Sequence, residues 1–226
     1  MWCIGVLTEE YRRRMYSLLE LYARPMCKAE PVICIDEKSL QLIGHSRQPL
    51  PMAPQAAAKQ DYEYTRHGTT NLFVAVEPKA GRRMVSVTER RGKVDFVAFI
   101  DDLLTGAYAK ARRIHFVLDN LNIHFKKCFD DVLGQRRAAR LLRRVQFHYT
   151  PKHASWLNMA EIEIGILTRQ CLDRRIDTAE SPAIRGRCMA AGSKRPAANH
   201  RVEIHSAGCG SEARPSLRFE TCVLMY

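Results

Sequence analysis

The chain predicts an α/β domain in which a mixed sheet of five strands carries helices on its faces. Three observations point there. Apolar runs of strand length stand at residues 30–36, 69–77, 83–88, 114–118 and 145–149. Helical spacing of apolar residues fills the stretches around 94–108 and after Ser155, and a basic helix over 126–144 stands between, giving the order β-β-β-α-β-α-β-α. The run Ile114-His115-Phe116-Val117-Leu118 ends abruptly in Asp119-Asn120 and a polar turn. A buried parallel strand delivers one carboxylate to the carboxyl edge of a sheet in this way, and open α/β sheets place their sites there.

Each element has its own signal. Thr8 before Glu9 and Glu10 is a helix start; Tyr11, Met15, Leu18 and Tyr22 recur at helical spacing, and Pro25 ends the helix. Arg12, Arg13 and Arg14 point off its apolar side and read as a solvated face. The first strand closes on Asp36, and 38–43 reads as a second strand or hairpin arm. Pro49, Pro51, Pro54 and the run Ala56-Ala57-Ala58 mark an exposed loop. Strands over 69–77 and 83–88 are joined by Pro78-Lys79-Ala80-Gly81, an antiparallel hairpin turn. The helix over 94–108 sets Val97, Ile100 and Leu104 toward the sheet, with Gly106 near its end. After Asp119 comes one basic helix over 126–144, then a strand over 145–149, a loop, and a helix that Ser155 caps. On that last helix, 100° steps put Glu161 beside Leu157, Ile164, Thr168 and Cys171 on the apolar side, and Glu163 on the solvent side.

Composition narrows the class of function. At 226 residues the chain accommodates one full α/β domain and a short appendage, and 46% hydrophobic with 27% charged residues is an ordinary globular balance. The formal charge of +12 is not ordinary; it favours a polyanionic partner, nucleic acid first. Eight cysteines occur without a Cys-x-x-Cys pair or zinc-finger spacing, and Cys34 and Cys171 sit in apolar patterns. Free thiols in a reducing cytosol are the expectation. No apolar run approaches membrane-spanning length and the N-terminus lacks a signal h-region, so a soluble, cytoplasmic protein is expected.

Asp36, Asp119 and Glu161 are the acids whose elements bring them to one place. Three like charges together are costly unless cations neutralise them. An all-oxygen cluster selects Mg²⁺ or Mn²⁺, and two such ions about 3.5–4 Å apart suit phosphodiester transfer. Paired carboxylates also suit a glycosidase, but the charge and only two Trp argue against a sugar cleft.

Two long stretches make the pattern recognisable. One is Val117-Leu118-Asp119-Asn120-Leu121-Asn122-Ile123-His124. The other runs from His148-Tyr149-Thr150-Pro151-Lys152-His153 through Ala154-Ser155-Trp156-Leu157-Asn158-Met159-Ala160-Glu161 to Ile162-Glu163-Ile164-Gly165. With Ile35-Asp36-Glu37-Lys38, residues 61–70 and residues 75–81, they resemble the catalytic core of mariner-like DDE transposases, most of all the bacterial insertion sequences of the IS-six-thirty type. The resemblance covers about residues 6–177. It implies a ribonuclease-H-like fold, with helices on both faces of a five-stranded sheet, and cut-and-paste DNA transposition on double-stranded DNA by a possible homodimer near the bacterial nucleoid. It implies Asp36, Asp119 and Glu161 as the catalytic, metal-binding triad, with 41 residues (120 to 160) between the last two. Asn120, His124, Lys152, His153, Trp156 and Asn158 are then expected to contact DNA or support the carboxylates, with a packed or surface role the alternative for the histidines.

The expected organisation is a linker helix over 1–29, a catalytic domain over 30–177 and an aberrant tail over 178–226. Family members usually carry helix-turn-helix modules before the core, absent here. In the tail, Ala, Gly, Ser and Pro make up roughly half of residues 178–216 and no period persists, which fits a reading-frame change near Asp177. The alternative function is an inactive remnant that binds DNA nonspecifically; a cellular nuclease or resolvase of the same fold ranks third.

Overall fold

The computed structural model describes residues 7–119 and 126–179. Helix α1 (Glu9–Ala23) starts where Thr8 Oγ1 accepts a hydrogen bond from the Tyr11 amide at 3.1 Å, and it stops at Arg24, whose extended backbone precedes Pro25. Strands β1 (Val32–His45), β2 (Tyr64–Glu77) and β3 (Arg82–Thr88) form an antiparallel meander. Helix α2 (Lys93–Thr105) then leads to β4 (Ile114–Leu118), and α3 (Lys126–Leu133) and α4 (Gln135–Leu142) lead to β5 (Val145–Tyr149). A 3₁₀ turn over Ser155–Leu157 precedes α5 (Met159–Leu167), which runs into a π-helical turn over Thr168–Leu172.

The sheet has five strands in the order β3-β2-β1-β4-β5, with β4 parallel to both β1 and β5. Strand alternation sorts its side chains onto two faces. Cys34, Leu42, Leu72, Val74, Val76 and Val117 pack with α1 and α5, through Met15, Leu18, Leu21, Ala160 and Leu167. Ile33, Ile35, Phe73, Ile114, Phe116 and Leu118 pack with α2, α3 and α4, through Phe96, Ile100, Leu104, Phe129 and Ala138. The expected mixed sheet covered on both sides is what forms. Val97, Ile100 and Leu104 are fully buried, as the helical spacing required.

Four local expectations need correction. Residues 32–45 are one strand, and Asp36 lies within it rather than at its end. The polar stretch Asp36-Glu37-Lys38-Ser39 keeps its ladder because it faces Val74, Phe73, Leu72 and Asn71 of β2, three of them fully buried apolar residues. The basic stretch after residue 126 is two helices rather than one. Gly134 takes φ of 75°, a left-handed turn that L side chains resist, and the helix axis breaks there. Helix α2 stops at Thr105, short of Tyr108, with Gly106 donating to the Asp102 carbonyl at 2.9 Å. Ser155 does not cap the last helix; Asn158 does.

Arg144 closes the α2 end of this layer, donating to the carbonyls of Leu104, Tyr108, Ala109 and Ala111. At the other end of the sheet, Arg175 donates to the carbonyls of Asp61 and Glu63 at 2.6 and 2.9 Å and lies over the Tyr64 ring. The Ile43 amide donates to the Ile176 carbonyl at 2.7 Å. The segment after α5 is thereby fastened to the β1–β2 arm. No helix among the described residues is long and apolar enough to cross a membrane. Cys27, Cys34, Cys128 and Cys171 are free thiols, and Cys34 and Cys171 are buried as small apolar residues.

Candidate active site

Register places the two aspartates side by side. The parallel ladder pairs Val32 with His115, Ile33 with Phe116 and Cys34 with Val117. Continuing that register by two residues sets Asp119, just past the end of β4, beside Asp36 on the neighbouring strand, roughly 5 Å away along the sheet. Both share the parity of Cys34 and Val117, so both belong to the face covered by α1 and α5. Glu161 stands in the first turn of α5 on that same face.

Electrostatics confirms the neighbourhood. Burial pushes the Asp36 carboxyl up to about 7 from an ordinary 3.8; the charges of Asp119, Glu37 and Glu161 push the same way, against a hydrogen bond from the Glu37 amide to Asp36 Oδ1 at 2.8 Å. Asp36 therefore senses both of the other acids. Among the described residues no three His, Cys, Asp or Glu side chains are already drawn into an ion-holding group. The three acids are neighbours on one face, not a closed shell. Their donor chemistry fits a hard divalent cation: every available atom is a carboxylate oxygen, and a positive charge would offset the repulsion that raises Asp36.

Helix α5 owes its position to Asn158, which is fully buried. Its Nδ2 donates to the Ile35 carbonyl at 2.8 Å, and its Oδ1 accepts from the Ala160 amide at 3.2 Å. One side chain thus caps the helix that carries Glu161 and ties it to the residue before Asp36. Tyr22 of α1 reinforces the joint, donating from its hydroxyl to the Leu157 carbonyl at 2.9 Å beside the Cys34 thiol at 3.3 Å. Burial pushes that thiol up to about 11, which keeps it protonated and inert.

The helical-wheel reading of α5 needs correction. Glu161 is exposed, whereas Glu163 is half-buried and accepts a hydrogen bond from Arg83 Nη1 of β3 at 2.9 Å. Three of the residues that defined that apolar side lie outside α5, Leu157 in the 3₁₀ turn before it and Thr168 and Cys171 in the π-helical turn after it, so they do not mark the helix's own buried side. The buried positions of α5 are Ala160 and Leu167, and Glu163 lies on their side. Sequence reasoning missed Arg83 and Tyr22. Arg83 shares the alternation of Val85 and Val87, which pack toward α5, so a cation at an inward position was the available signal.

The remaining expected residues separate. Lys152 and His153 are exposed on the loop after β5, and His153 takes a left-handed φ of 62°. Trp156 is 57% exposed, an aromatic face open to solvent near the first turn of α5. Asn120 and His124 lie outside the described residues.

Comparisons with known proteins fit this geometry. A comparison with curated proteins finds no match. Among solved structures, the Mos1 mariner paired-end complex with Mn is similar at a TM-score of 0.51 and 17% identity, covering 80% of this chain and 55% of that one. The Mos1 strand transfer complex is similar at a TM-score of 0.50 and 15% identity, covering 87% and 58%. The chain thus spans a little over half the length of these Mos1 chains, and the likeness shows a shared ribonuclease-H-like fold. The model of the DDE superfamily endonuclease family matches residues 31–181, two thirds of the sequence, from just before β1 to beyond α5. This chain belongs to the DDE superfamily of endonucleases.

Proposed function

We propose that the chain is the catalytic core of a transposase that cleaves DNA at an element end and joins the freed 3′-hydroxyl to target DNA. The observation that carries this reading is the parallel β1–β4 register, which extended by two residues sets Asp119 beside Asp36, with Glu161 in the first turn of α5 on the same face. The family match and the +12 charge support it. The similar Mos1 structures include a strand transfer complex and paired-end complexes, one with Mn, one with Mg and one with the left transposon end.

In this reading Asp36, Asp119 and Glu161 hold Mg²⁺ or Mn²⁺, in a two-ion site. Divalent cations bound there supply the positive charge that activates a water or 3′-hydroxyl and stabilises the leaving oxygen. The protein's own part is positioning. The β1–β4 ladder fixes the two aspartates, and Asn158 fixes Glu161 relative to Asp36. Burial and the neighbouring acids raise the Asp36 carboxyl, and a bound cation would favour its charged form. Trp156, Lys152 and His153 are exposed near this edge and available to DNA, whereas Asn158 is buried and supports the carboxylates from behind.

The finer reading places the chain in the IS-six-thirty type of bacterial insertion sequences, acting in the cytoplasm as a homodimer. Its catalytic domain covers residues 30–177, α1 serves as a linker helix, and the tail from 178 is a product of a changed reading frame. The test is supercoiled plasmid nicking in Mg²⁺ or Mn²⁺, with Asp119→Ala as the control. Nicking that the control abolishes supports an assembled triad, and joining of a labelled 3′-hydroxyl oligonucleotide separates a transposase from a plain nuclease. A folded protein that binds plasmid without nicking it would leave the inactive remnant as the better account.

A further inference from the structure

Helix α4 carries arginines that the fold does not use. Its sequence, Gln135-Arg136-Arg137-Ala138-Ala139-Arg140-Leu141-Leu142, contains no acid, and Arg143 and Arg144 follow directly. Two of these five arginines are structural: Arg137 pairs with Asp101 of α2 at 2.7 Å, and Arg144 holds the carbonyls at the end of α2. Ala138 is fully buried and Leu141 and Leu142 pack beside it, so α4 is pinned along one side. Arg136, Arg140 and Arg143 are exposed on the other side, with no hydrogen bond or ion pair among the described residues.

Their spacing of i, i+4 and i+7 gathers them within about 60° of arc and spreads them over roughly 10 Å, on the order of a DNA groove width. Like charges at this spacing repel and destabilise a helix. An ordinary solvated face interleaves acids to relieve that repulsion. Helix α1 does so, with Arg14 bonded to Glu10 at 2.6 Å, and α3 carries Asp130 and Asp131 behind its two lysines. Helix α4 does not. It packs on the α2 side of the sheet, opposite the face of Asp36 and Asp119.

We propose that the outer face of α4 is a second contact surface for duplex DNA, with Arg136, Arg140 and Arg143 gripping backbone phosphates on the side of the sheet away from the carboxylates. The inference rests on the reading that this chain handles DNA, and it assigns a place for a duplex other than the one being cut. Because the helix is already fixed by Arg137, Arg144 and Ala138, only three side chains need ordering when DNA binds. Phosphate contacts of this kind carry no sequence information.

The test is fluorescence-anisotropy titration of a labelled duplex of arbitrary sequence, in EDTA, across a series of salt concentrations. The variant Arg136→Gln/Arg140→Gln/Arg143→Gln is expected to weaken binding at least about tenfold at low salt and to reduce the slope of log K against log salt by about 2–3, from roughly 0.9 per phosphate contact. The corresponding triple Arg→Lys variant should keep the slope. Arg12→Gln/Arg13→Gln/Arg14→Gln on α1 removes the same formal charge and should change the slope by less than about 1. An unchanged slope in the α4 variant, with its melting curve intact, overturns the proposal. Equal changes in the two Gln triples also overturn it, because bulk charge then explains both. Plasmid nicking keeps the two readings apart. A wild type that nicks DNA but whose slope is insensitive to α4 sinks only this surface; a wild type whose slope depends on α4 but which never nicks sinks only the catalytic reading.

Discussion

Replacing Asn158 with Ala removes two buried hydrogen bonds at once, and their separate costs can be added from the geometry. The Ala160 amide at the start of α5 loses its cap, which costs about 1 kcal/mol. The Ile35 carbonyl loses the donor that reaches it at 2.8 Å in a site closed to water, which costs about 1–3 kcal/mol more. The sum, about 2–4 kcal/mol, is a sizeable part of the 5–15 kcal/mol that holds a typical domain together. Urea unfolding followed by circular dichroism in EDTA measures it. The companion variant Asn158→Asp keeps an acceptor for Ala160 but offers Ile35 no donor, and it adds a fourth acid beside Asp36 and Glu161. It should be at least as destabilised as the Ala variant at pH 8 and should recover as pH falls and the new acid is protonated. In both variants plasmid nicking should fall by more than the unfolded fraction accounts for, because α5 loses its tie to β1. A loss below about 0.5 kcal/mol in Asn158→Ala, within the range of an ordinary surface change, would refute the claim that this side chain fixes the site.

Two further outcomes follow from the same geometry. In metal-free protein, Asp36 has a folded pKa of about 7 against an ordinary 3.8, so the folded state binds the proton more tightly than the unfolded state. Stability should therefore fall as pH rises from about 4 to about 7, and Asp36→Asn should remove that fall, gaining at most about 4 kcal/mol above pH 7; identical pH–stability curves would contradict the burial argument. For the Arg83–Glu163 pair, Glu163→Leu strands a cation whose side chain is only 8% exposed and should cost about 2–4 kcal/mol, whereas Arg83→Met/Glu163→Leu together should recover most of it. Additive losses in that double variant, read by urea unfolding, would show that the two groups do not act as a pair.

The sequence made the strand that ends in Asp119 readable because a fully buried parallel strand is continuously apolar, and Ile114–Leu118 is buried throughout. It made β1 only half readable. The polar stretch from Asp36 to Ser39 looks like an interruption, and only the apolar partner strand, with Leu72, Phe73 and Val74 opposite, shows why it stays extended. Glycine carried a signal at 134 that the apolar spacing before it and the arginines after it obscured. The side assigned to Glu161 failed for a different reason: periodicity fixes relative angles within one helix but not where that helix begins. Leu157 belongs to a 3₁₀ turn before α5 and Thr168 and Cys171 to a π-helical turn after it, so the side they mark is not the one α5 buries. Asn158 itself was legible as part of a motif, yet its burial and its bond to the Ile35 carbonyl join residues 123 positions apart in the chain.

The central claim is that Asp36, Asp119 and Glu161 act together on a divalent cation. Electron paramagnetic resonance of Mn²⁺ titrated into the wild type, Asp36→Asn, Asp119→Asn and Glu161→Gln tests it without requiring turnover. The account predicts saturable Mn²⁺ binding by the wild type at pH 8, weakened at least about tenfold by each substitution, as expected when a ligand is lost from a shared site. Wild-type binding that survives all three substitutions unchanged, in proteins that remain folded, would contradict it.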